Sequence, residues 1–303
     1  MARSQSYPAR PITLVVPVGV GSSADIVARL VAQQMAAQLG QSIVIENRPG
    51  AGGAGALKHV ANGARDGYTL LLIGSGNALS QSLFKSPPYD VQRDLAPISD
   101  IIRTDIVVLA GKRSKLRSVE EFIANAQNRP GRLTVGTTIL GTTQHMAAEL
   151  LKASAKADFA IVPFKTSANL YAGVQSGDVE LAFDLVPAVQ TQLRAGELRA
   201  LATAGDERSK LLPQVPTLKE LGLVSHEVTS AMIIAAPSGT PNTIVELLGQ
   251  EIQRALKQRE LQLKLQDVGF TGTGSTPAQA RELLASELTK WREVVRSTGV
   301  ELQ

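Results

Sequence analysis

The sequence predicts an α/β protein of two lobes, with parallel-rich sheets covered by helices on both faces. Three observations carry that expectation. The chain has 303 residues, long for a single hydrophobic core when domains commonly run ~50–200 residues. Strand-like apolar runs alternate with stretches of helical spacing through short loops, the pattern of parallel strands packed beneath helices. The alternation also restarts near Ile101 to Asp105, so a second complete α/β series follows the first.

In the first series Ile12–Val18 reads as a strand, Gly19–Ser23 as a turn and Ala24–Leu39 as a helix. Ile26, Val27, Leu30, Val31, Met35 and Leu39 recur at helical spacing and leave Arg29, Gln33 and Gln38 on the wet side. Ser22 with Asp25 forms a capping box, and Gly40 stops the helix. Ile43–Glu46 is a second strand. Asn47-Arg48-Pro49-Gly50 leads into a small-residue helix near Gly53–Asn62, and a third strand, Tyr68–Ile73, enters the turn Gly74–Asn77.

The second series opens with strand Ile106–Ala110 and a helix capped by Ser118 and Glu121. Strand Leu133–Thr137, loop Thr138–Thr143, helix Gln144–Ala153 and strand Phe159–Val162 come next. Helix Ala168–Gln175, strand Val179–Asp184, helix Pro187–Ala195 and strand Ala200–Ala204 complete it. Beyond lie a strand, Val228–Ala236, and two amphipathic helices, Pro241–Gln266 with a break and Pro277–Ser297. One strand and two helices are too little for a third lobe and are expected to rejoin the first. The expected division is 1–103 with 227–303 against 104–226, with hinge crossings near Arg103 and His226.

Composition narrows the function classes. Lys plus Arg number 31 against 27 Asp plus Glu, a net charge of +4 that is too modest for a nucleic-acid binder. The basic run Lys112-Arg113-Ser114-Lys115-Leu116-Arg117 has no aromatic interleaving and reads as a solvated turn, or else as a dock for an acidic partner. Cysteine is absent, which removes disulfides, thiolate metal sites and cysteine nucleophiles. His59, His145 and His226 are too dispersed for a metal pair, so neither metal nor cofactor is expected. Apolar runs such as Ile12–Val18 and Leu70–Ile73 fall far short of the ~20 residues of a membrane span. Met1–Ser6 carries no leader pattern, so the chain is expected to be cytoplasmic or to have lost a leader.

Gly19-Val20-Gly21-Ser22-Ser23-Ala24 lies between a strand and a helix, and the next strand ends at Glu46. This matches the dinucleotide fingerprint Gly-x-Gly-x-x-Ala with a following acid, which points to a nicotinamide-dependent oxidoreductase using Gly19, Gly21, Ala24 and Glu46. Equally, free amides and the positive end of a helix suit any anion, and the glycines alone divide pyrophosphate from carboxylate about evenly. Gly136 to His145 repeats the device in the second series, with Thr142 or Thr143 as N-cap and His145 as a packed residue. No Gly-x-Ser-x-Gly elbow or paired catalytic carboxylates appear, so hydrolase chemistry is not expected. Asp184 at a strand end reads as a turn or hinge residue before a base. Lys165 is open to either anion contact or plain solvation.

In order along the chain come Tyr-Pro-x-Arg-Pro-Ile (7–12), Asp-Ile-Val-Ala-Arg (25–29), Glu-Asn-Arg-Pro-Gly-Ala-Gly-Gly (46–53) and Asp-Gly-Tyr-Thr-Leu-Leu (66–71). Gly-Thr-Thr-Gln-His (141–145), Phe-Asp (183–184), Ala-Gly-Glu-Leu-Arg-Ala-Leu-Ala (195–202) and Val-Pro-Thr (215–217) follow. Together they resemble the receptors of tripartite tricarboxylate transporters, the Bug-type periplasmic solute-binding family, over nearly the whole chain. The resemblance implies a Venus-flytrap architecture with type II periplasmic-binding topology, a periplasmic location, no catalysis, and a small carboxylate passed to transporter membrane subunits. A monomer is expected. Carried over by position, the implied ligand-binding residues are Gly21, Ser22, Ser23, Ala24 and Asp25, the last either as a ligand or as a cap only. Ser75, Gly76, Asn77 and Ala78 join them, and the second series adds Gly141, Thr142, Thr143, Lys165, Thr166, Ser167 and Asp184.

The chain departs from the family pattern at Val18, Ser22 and Ala24, where Phe, Gly and a hydroxyl residue are usual, and at Phe164 and Thr166, where Tyr and Gly are usual. Losing those hydroxyls predicts a less polar site, suited to a carboxylate with a larger apolar body.

Overall fold

The computed structural model describes residues 7–300; the leader question posed by Met1–Ser6 lies outside them. In chain order the elements are β1 (Ile12–Val16), α1 (Ser23–Leu39), β2 (Ile43–Asn47), α2 (Ala54–Ala61), β3 (Thr69–Gly74), α3 (Ser75–Leu83), α4 (Val91–Asp94) and β4 (Leu95–Gly111). Next come α5 (Val119–Asn128), β5 (Thr134–Thr138), α6 (Thr143–Ser154), β6 (Ala160–Phe164), α7 (Ser167–Ser176), β7 (Leu181–Leu185), α8 (Val186–Arg194) and β8 (Leu198–Thr203). The chain closes with β9 (Thr229–Pro237), α9 (Asn242–Leu256), α10 (Arg259–Asp267), β10 (Thr271–Gly272) and α11 (Pro277–Thr298).

The described chain forms two compact units, 7–103 with 231–291 and 104–230 with 292–300. The return crossing thus falls at Ser230/Ala231 rather than near His226. The closing helix, expected wholly in the first unit, gives its end from Arg292 onward to the second. Val294 and Val295 are buried there, and Glu293, Arg296 and Ser297 share a recess with Leu150, Ser154 and His226.

In the first unit the strand order is β2-β1-β3-β9-β4, with β10 also on β4. β1 is parallel to both β2 and β3, while β9 runs antiparallel to β3. Ile12, Leu14, Val16, Leu70 and Leu72 pack on Val27, Val31 and Met35 of α1 and on Leu248, Ile252 and Leu265 of α9 and α10. Val15, Leu71 and Ile73, on the alternate face, are buried as well, so both faces are covered and the strands read as continuous apolar runs. Ile26, placed by its spacing on the apolar face of α1, is 37% exposed.

The second unit orders its strands β8-β4-β7-β5-β6, with β5 parallel to β6 and β7 and with β4 antiparallel to β7 and β8. Val107, Leu109, Leu170, Val174, Ala182, Val186 and Val189 form one core layer. Phe122 and Phe159 meet edge to face at 5.3 Å elsewhere in the unit. The basic run Lys112–Arg117 is the β4–α5 loop. Arg199 Nη2 ties it down by donating to the carbonyls of Ser114 (3.0 Å) and Leu116 (2.8 Å), while its cationic side chains stay in solvent.

Three elements differ from the expectation. β4 is one 17-residue strand, although only its second part was legible as a strand. Asp100, Arg103 and Asp105 interrupt the apolar alternation of the first part, and Asp100 is nonetheless buried with Arg103 Nε 3.6 Å from its carboxylate. α3 forms where Ser75-Gly76-Asn77 spelled a turn, because the Asn77 side chain accepts from Gly74 N–H at 3.0 Å and so caps the helix. The two-residue β10 carries no sequence signal. The break within 241–266 falls at Lys257–Gln258.

Candidate functional site

Parallel strands leave the sheet at one edge, so each unit gathers the loops that follow its parallel strands. In the first unit the chain moves from β1 outward to β2, then crosses back to β3 on the other side of β1. That reversal places the β1–α1 and β3–α3 loops side by side, the position at which open α/β sheets take ligands.

The β1–α1 loop is braced around Asp25, which is only 1% exposed. Its carboxylate accepts from Gly21 N–H, Arg29 Nε and Asn47 Nδ2, each at 2.9 Å. Asn47 Nδ2 also donates to Val18 O at 3.0 Å, and Asn47 Oδ1 accepts from Arg29 Nη2 at 3.1 Å. The hydrogen bond from Arg29, helped by Gly21 and Asn47 against the cost of burial, pulls Asp25 down to a pKa of about 2. Ser22 is the N-cap, its hydroxyl accepting from Asp25 N–H at 3.3 Å, and Gly21 reaches φ +79°, the left-handed turn that brings the cap into line. Asp25 therefore has no free oxygen for a guest, and the Gly21 amide is taken. What remains open is the first turn of α1: the Ser23 and Ala24 amides have no acceptor among the described residues. Such a helix start presents partial positive charge to an anion.

At the neighbouring β3–α3 turn, side chains are again committed internally. Asn77 Nδ2 donates to Gly52 O at 3.1 Å, Tyr89 OH donates to Asn77 O at 3.0 Å, and Ser75 Oγ accepts from Ala231 N–H at 3.0 Å. Ala78 is wholly buried and Gly76 is exposed. The Gly50–Gly53 run exists for this packing. Gly53 has φ +87°, and a Cβ there would stand 2.8 Å from Asn77 Nδ2 and 3.1 Å from Pro17 Cβ. Gly53→Ala is accordingly expected to destabilise the first unit by about 1–3 kcal/mol, read from the denaturant midpoint at unchanged m.

The second unit repeats the device on β5, from which the chain passes to β6 on one side and then β7 on the other. Gly141 has φ +76°, Thr142 is the N-cap accepting from His145 N–H at 3.3 Å, and Gly141 N–H donates to His145 Nδ1 at 3.3 Å. His145 thus takes the place that Asp25 holds in the first unit. Its Nε2 lies 3.4 Å from Glu149, as Asp25 pairs with Arg29 one turn on. Because Nδ1 accepts, the proton is assigned to Nε2. The Thr143 and Gln144 amides have no acceptor among the described residues. At the β6–α7 loop Thr166 caps, accepting from Asn169 N–H at 3.2 Å. The Ser167 and Ala168 amides are likewise open, and Lys165 is exposed with no ion pair among the described residues.

Asp184 sits behind this edge, 1% exposed. It accepts from Tyr171 OH (2.8 Å), Gln144 Nε2 (3.2 Å) and Leu185 N–H (2.8 Å), while Thr143 OH donates to Gln144 Oε1 at 3.0 Å. Burial, and then the adjacent Asp184, push the Tyr171 hydroxyl far above its usual range. Asp184 is a buried support for α6 and α7, not a group presented to a guest.

Residues 21–25 and 75–78 therefore meet at one sheet edge, and 141–143, 165–167 and 184 at another. Arg29, Asn47, Gln144 and Tyr171, which hold those edges in shape, were not singled out from sequence. Asp25 and Arg29 stand one helical turn apart, Asn47 is the second residue of the 46–53 motif and Gln144 lies within 141–145; these are the signals that point to them. Glu46, the acid of the dinucleotide reading, is engaged by Arg48 Nε at 2.5 Å. Among the described residues no cluster of three or more His, Cys, Asp or Glu side chains is placed to hold a metal, and no helix is long and apolar enough to cross a membrane.

Comparison with known proteins agrees with this geometry. The family model described as "Tripartite tricarboxylate transporter family receptor" matches residues 27–300. The protein BugT of Bordetella pertussis (strain Tohama I) is 36% identical over 302 residues, covering 99% of this chain and 93% of that protein. Among solved structures, R. palustris Rpa4515 with adipate is 33% identical at a TM-score of 0.84, covering 97% of this chain and 98% of the other. MatC (Rpa3494) from Rhodopseudomonas palustris with bound malate is 32% identical at a TM-score of 0.80, covering 95% and 100%. The periplasmic binding protein BugD shares the fold at a TM-score of 0.81 and 27% identity, covering 98% and 100%. These relatives are receptors, which removes the oxidoreductase reading of the glycine turn after β1. The chain belongs to the tripartite tricarboxylate transporter receptor family, and it is a solute receptor of the periplasmic-binding-protein fold, not an enzyme.

Proposed function

We propose that this protein captures a small organic carboxylate in the periplasm and passes it to the membrane subunits of a tripartite tricarboxylate-type transporter. The observation that carries the reading is the set of acceptor-free first-turn amides of α1, α6 and α7, each at the edge where parallel strands end. The adipate and malate named for two solved relatives supply the chemical class. In the first unit the donors are the Ser23 and Ala24 amides, with the Gly76 backbone beside them; in the second they are Thr143, Gln144, Ser167 and Lys165.

The energetics suffice without a buried arginine. A hydrogen bond to a charged group nets roughly 1.5–3 kcal/mol, and a helix N-terminus adds about 0.3–1. Four such donors give on the order of 6–12 kcal/mol before ordering costs, against the ~8 that micromolar binding requires. Calorimetry against a carboxylate panel, with NAD as control, tests the assignment. At least one acid should bind and raise the melting temperature; stabilisation by NAD and by no acid would overturn it.

Lys165 is the one basic side chain among the residues assigned to the site, and it is exposed with no ion pair among the described residues. Lys165→Gln is expected to weaken binding about three- to tenfold at low salt and less at 0.5 M salt, since an exposed charge contributes only about 0.2–1 kcal/mol beyond its hydrogen bond. Titration calorimetry at two salt concentrations reads this directly.

A further inference from the structure

Each unit holds large apolar side chains in water at the same place, immediately before the glycine that turns into its anion-facing helix. Val20 is 76% exposed, Ile139 61% and Leu140 57%; the other exposed large hydrophobics are Ile26, Val44 and Leu263. The backbone beneath them is fixed. Ser22 N–H donates to Gly19 O at 3.3 Å, Thr142 OH donates to Ile139 O at 2.8 Å, and Gly21 and Gly141 are each tied to the residue four positions on. The loops therefore cannot fold these side chains into their own cores, and the exposed apolar surface stands beside unpaired amides.

A neighbouring feature gives the pairing a chemical direction. At the second unit's edge Lys165 is the one assigned cation, and it has no ion pair among the described residues; in the first unit Arg29 is bound to Asp25 and Asn47. Such a surface is matched by a molecule with few anionic groups and a hydrocarbon body, and is mismatched by one carrying charge or hydroxyls along its length. Water displaced from Ile139 and Leu140 by methylenes gains free energy, whereas a ligand hydroxyl placed against them loses its hydration with no partner to replace it.

We infer that Ile139 and Leu140, beside the open first turn of α6, are specificity-determining residues that seat the hydrocarbon portion of an aliphatic carboxylate. The inference rests on the receptor reading above and narrows it to a substrate class: unbranched carboxylates of about four to eight carbons in preference to hydroxylated di- and tricarboxylates.

The test is calorimetry of the full chain with straight-chain mono- and α,ω-dicarboxylates of increasing length, alongside malate and citrate. Wild-type affinity is expected to rise about fourfold per methylene until the surface is filled, the ~0.8 kcal/mol of a buried CH₂ at 1.4 kcal/mol per decade. In Ile139→Ser/Leu140→Ser that slope should flatten while the shortest acids keep their affinity, and malate and citrate should gain relative to the long chains. Both positions are exposed, so the variant should melt with the wild type. A flat chain-length profile in the wild type, an unchanged slope in the variant, or a preference for citrate overturns the inference and leaves the receptor reading standing. If no acid of any length binds, the receptor reading falls and takes the inference with it.

Discussion

Asp25→Ala is expected to destabilise the first unit by roughly 2–4 kcal/mol and to weaken ligand binding by at least tenfold. The carboxylate is the common acceptor for Gly21 N–H, Arg29 and Asn47. Removing it leaves the Gly21 amide, on an exposed residue, and one Asn47 N–H, on a half-buried one, without their acceptor, at the low end of about 1–3 kcal/mol each. Arg29 adds less, because its side chain is 48% exposed and recovers water. The binding loss follows from geometry: without the Gly21 tether the left-handed turn keeps only the bond from Ser22 N–H to Gly19 O, and Ser23 and Ala24 no longer present their amides as a fixed pair. Urea melts and calorimetry measure the two effects separately. Asp25→Asn separates charge from shape, since its amide oxygen still accepts from Gly21. The folded carboxyl has its pKa lowered to about 2 against an ordinary value near 4. Its contribution to stability is thus complete above about pH 4 and is lost as pH falls through about 2. Between pH 5 and 2 the wild type should lose melting temperature faster than Asp25→Asn. Equal losses would mean that Arg29 does not hold the carboxylate in the folded state.

The two units solve one problem with different residues. Left-handed glycine, hydroxyl cap, and a side chain three residues after the cap that reaches back to the glycine amide occur as Gly21-Ser22-Asp25 and as Gly141-Thr142-His145. The acid–base order is inverted, with Asp25 answered by Arg29 and His145 by Glu149. What is common is an acceptor at that place for the glycine N–H. What differs is the side chain that supplies it, Asp25 beside Arg29 in one unit and His145 beside Glu149 in the other. In each case the helix start keeps backbone amides without an acceptor among the described residues, so loops of different composition build the same local geometry.

Much of this was readable in the chain. Strand–helix alternation gave every parallel strand, since apolar runs of five or six residues bounded by glycine and hydroxyl turns have few other interpretations. The Ser22/Asp25 capping box and the Thr142-or-Thr143 N-cap located two helix starts, and those starts are where the open amides lie. The first half of β4 was hidden because Asp100, Arg103 and Asp105 break the alternation; Arg103 answers Asp100 within the strand, while the backbone is tied to a segment far along the chain: Asp100 N–H donates to Ser275 Oγ at 3.0 Å. Periodicity has no access to such a contact. The sequence left Asp25 open between ligand and cap and Asp184 between turn residue and ligand, and offered Asn77 as a ligand, for a related reason. A polar residue at a strand end can face a guest or brace the loop beneath it, and only the count of its internal partners distinguishes the two. All three have their side-chain acceptors filled from within.

Asp184→Ala should have the largest effect in the second unit, about 3–5 kcal/mol. Its carboxylate is buried with no cation near enough to pair, and three neutral donors hold it: Tyr171 OH, Gln144 Nε2 and Leu185 N–H. Deleting it leaves all three without an acceptor in a place water does not reach, at roughly 1–3 kcal/mol each, reduced where a side chain can turn away. Tyr171→Phe removes one hydrogen bond to a charged acceptor and is expected to cost about 1.5–3 kcal/mol. Asp184→Asn should cost less than alanine, because an amide oxygen still accepts and its NH₂ can donate to the Tyr171 oxygen. In the Asp184→Ala/Tyr171→Phe pair the second change should add little, since the hydroxyl it removes has already lost its acceptor, giving a coupling of about 1–2 kcal/mol. Additive costs would show that the two side chains do not share a bond. The same network ends at Gln144 and Thr143, whose amides form the open first turn of α6, so ligand affinity should fall with stability in Asp184→Ala and hardly at all in Tyr171→Phe, where Gln144 keeps its partner. A variant that loses stability but binds as the wild type would separate the support from the edge, and would place the ligand's second anchor at α7 instead of α6.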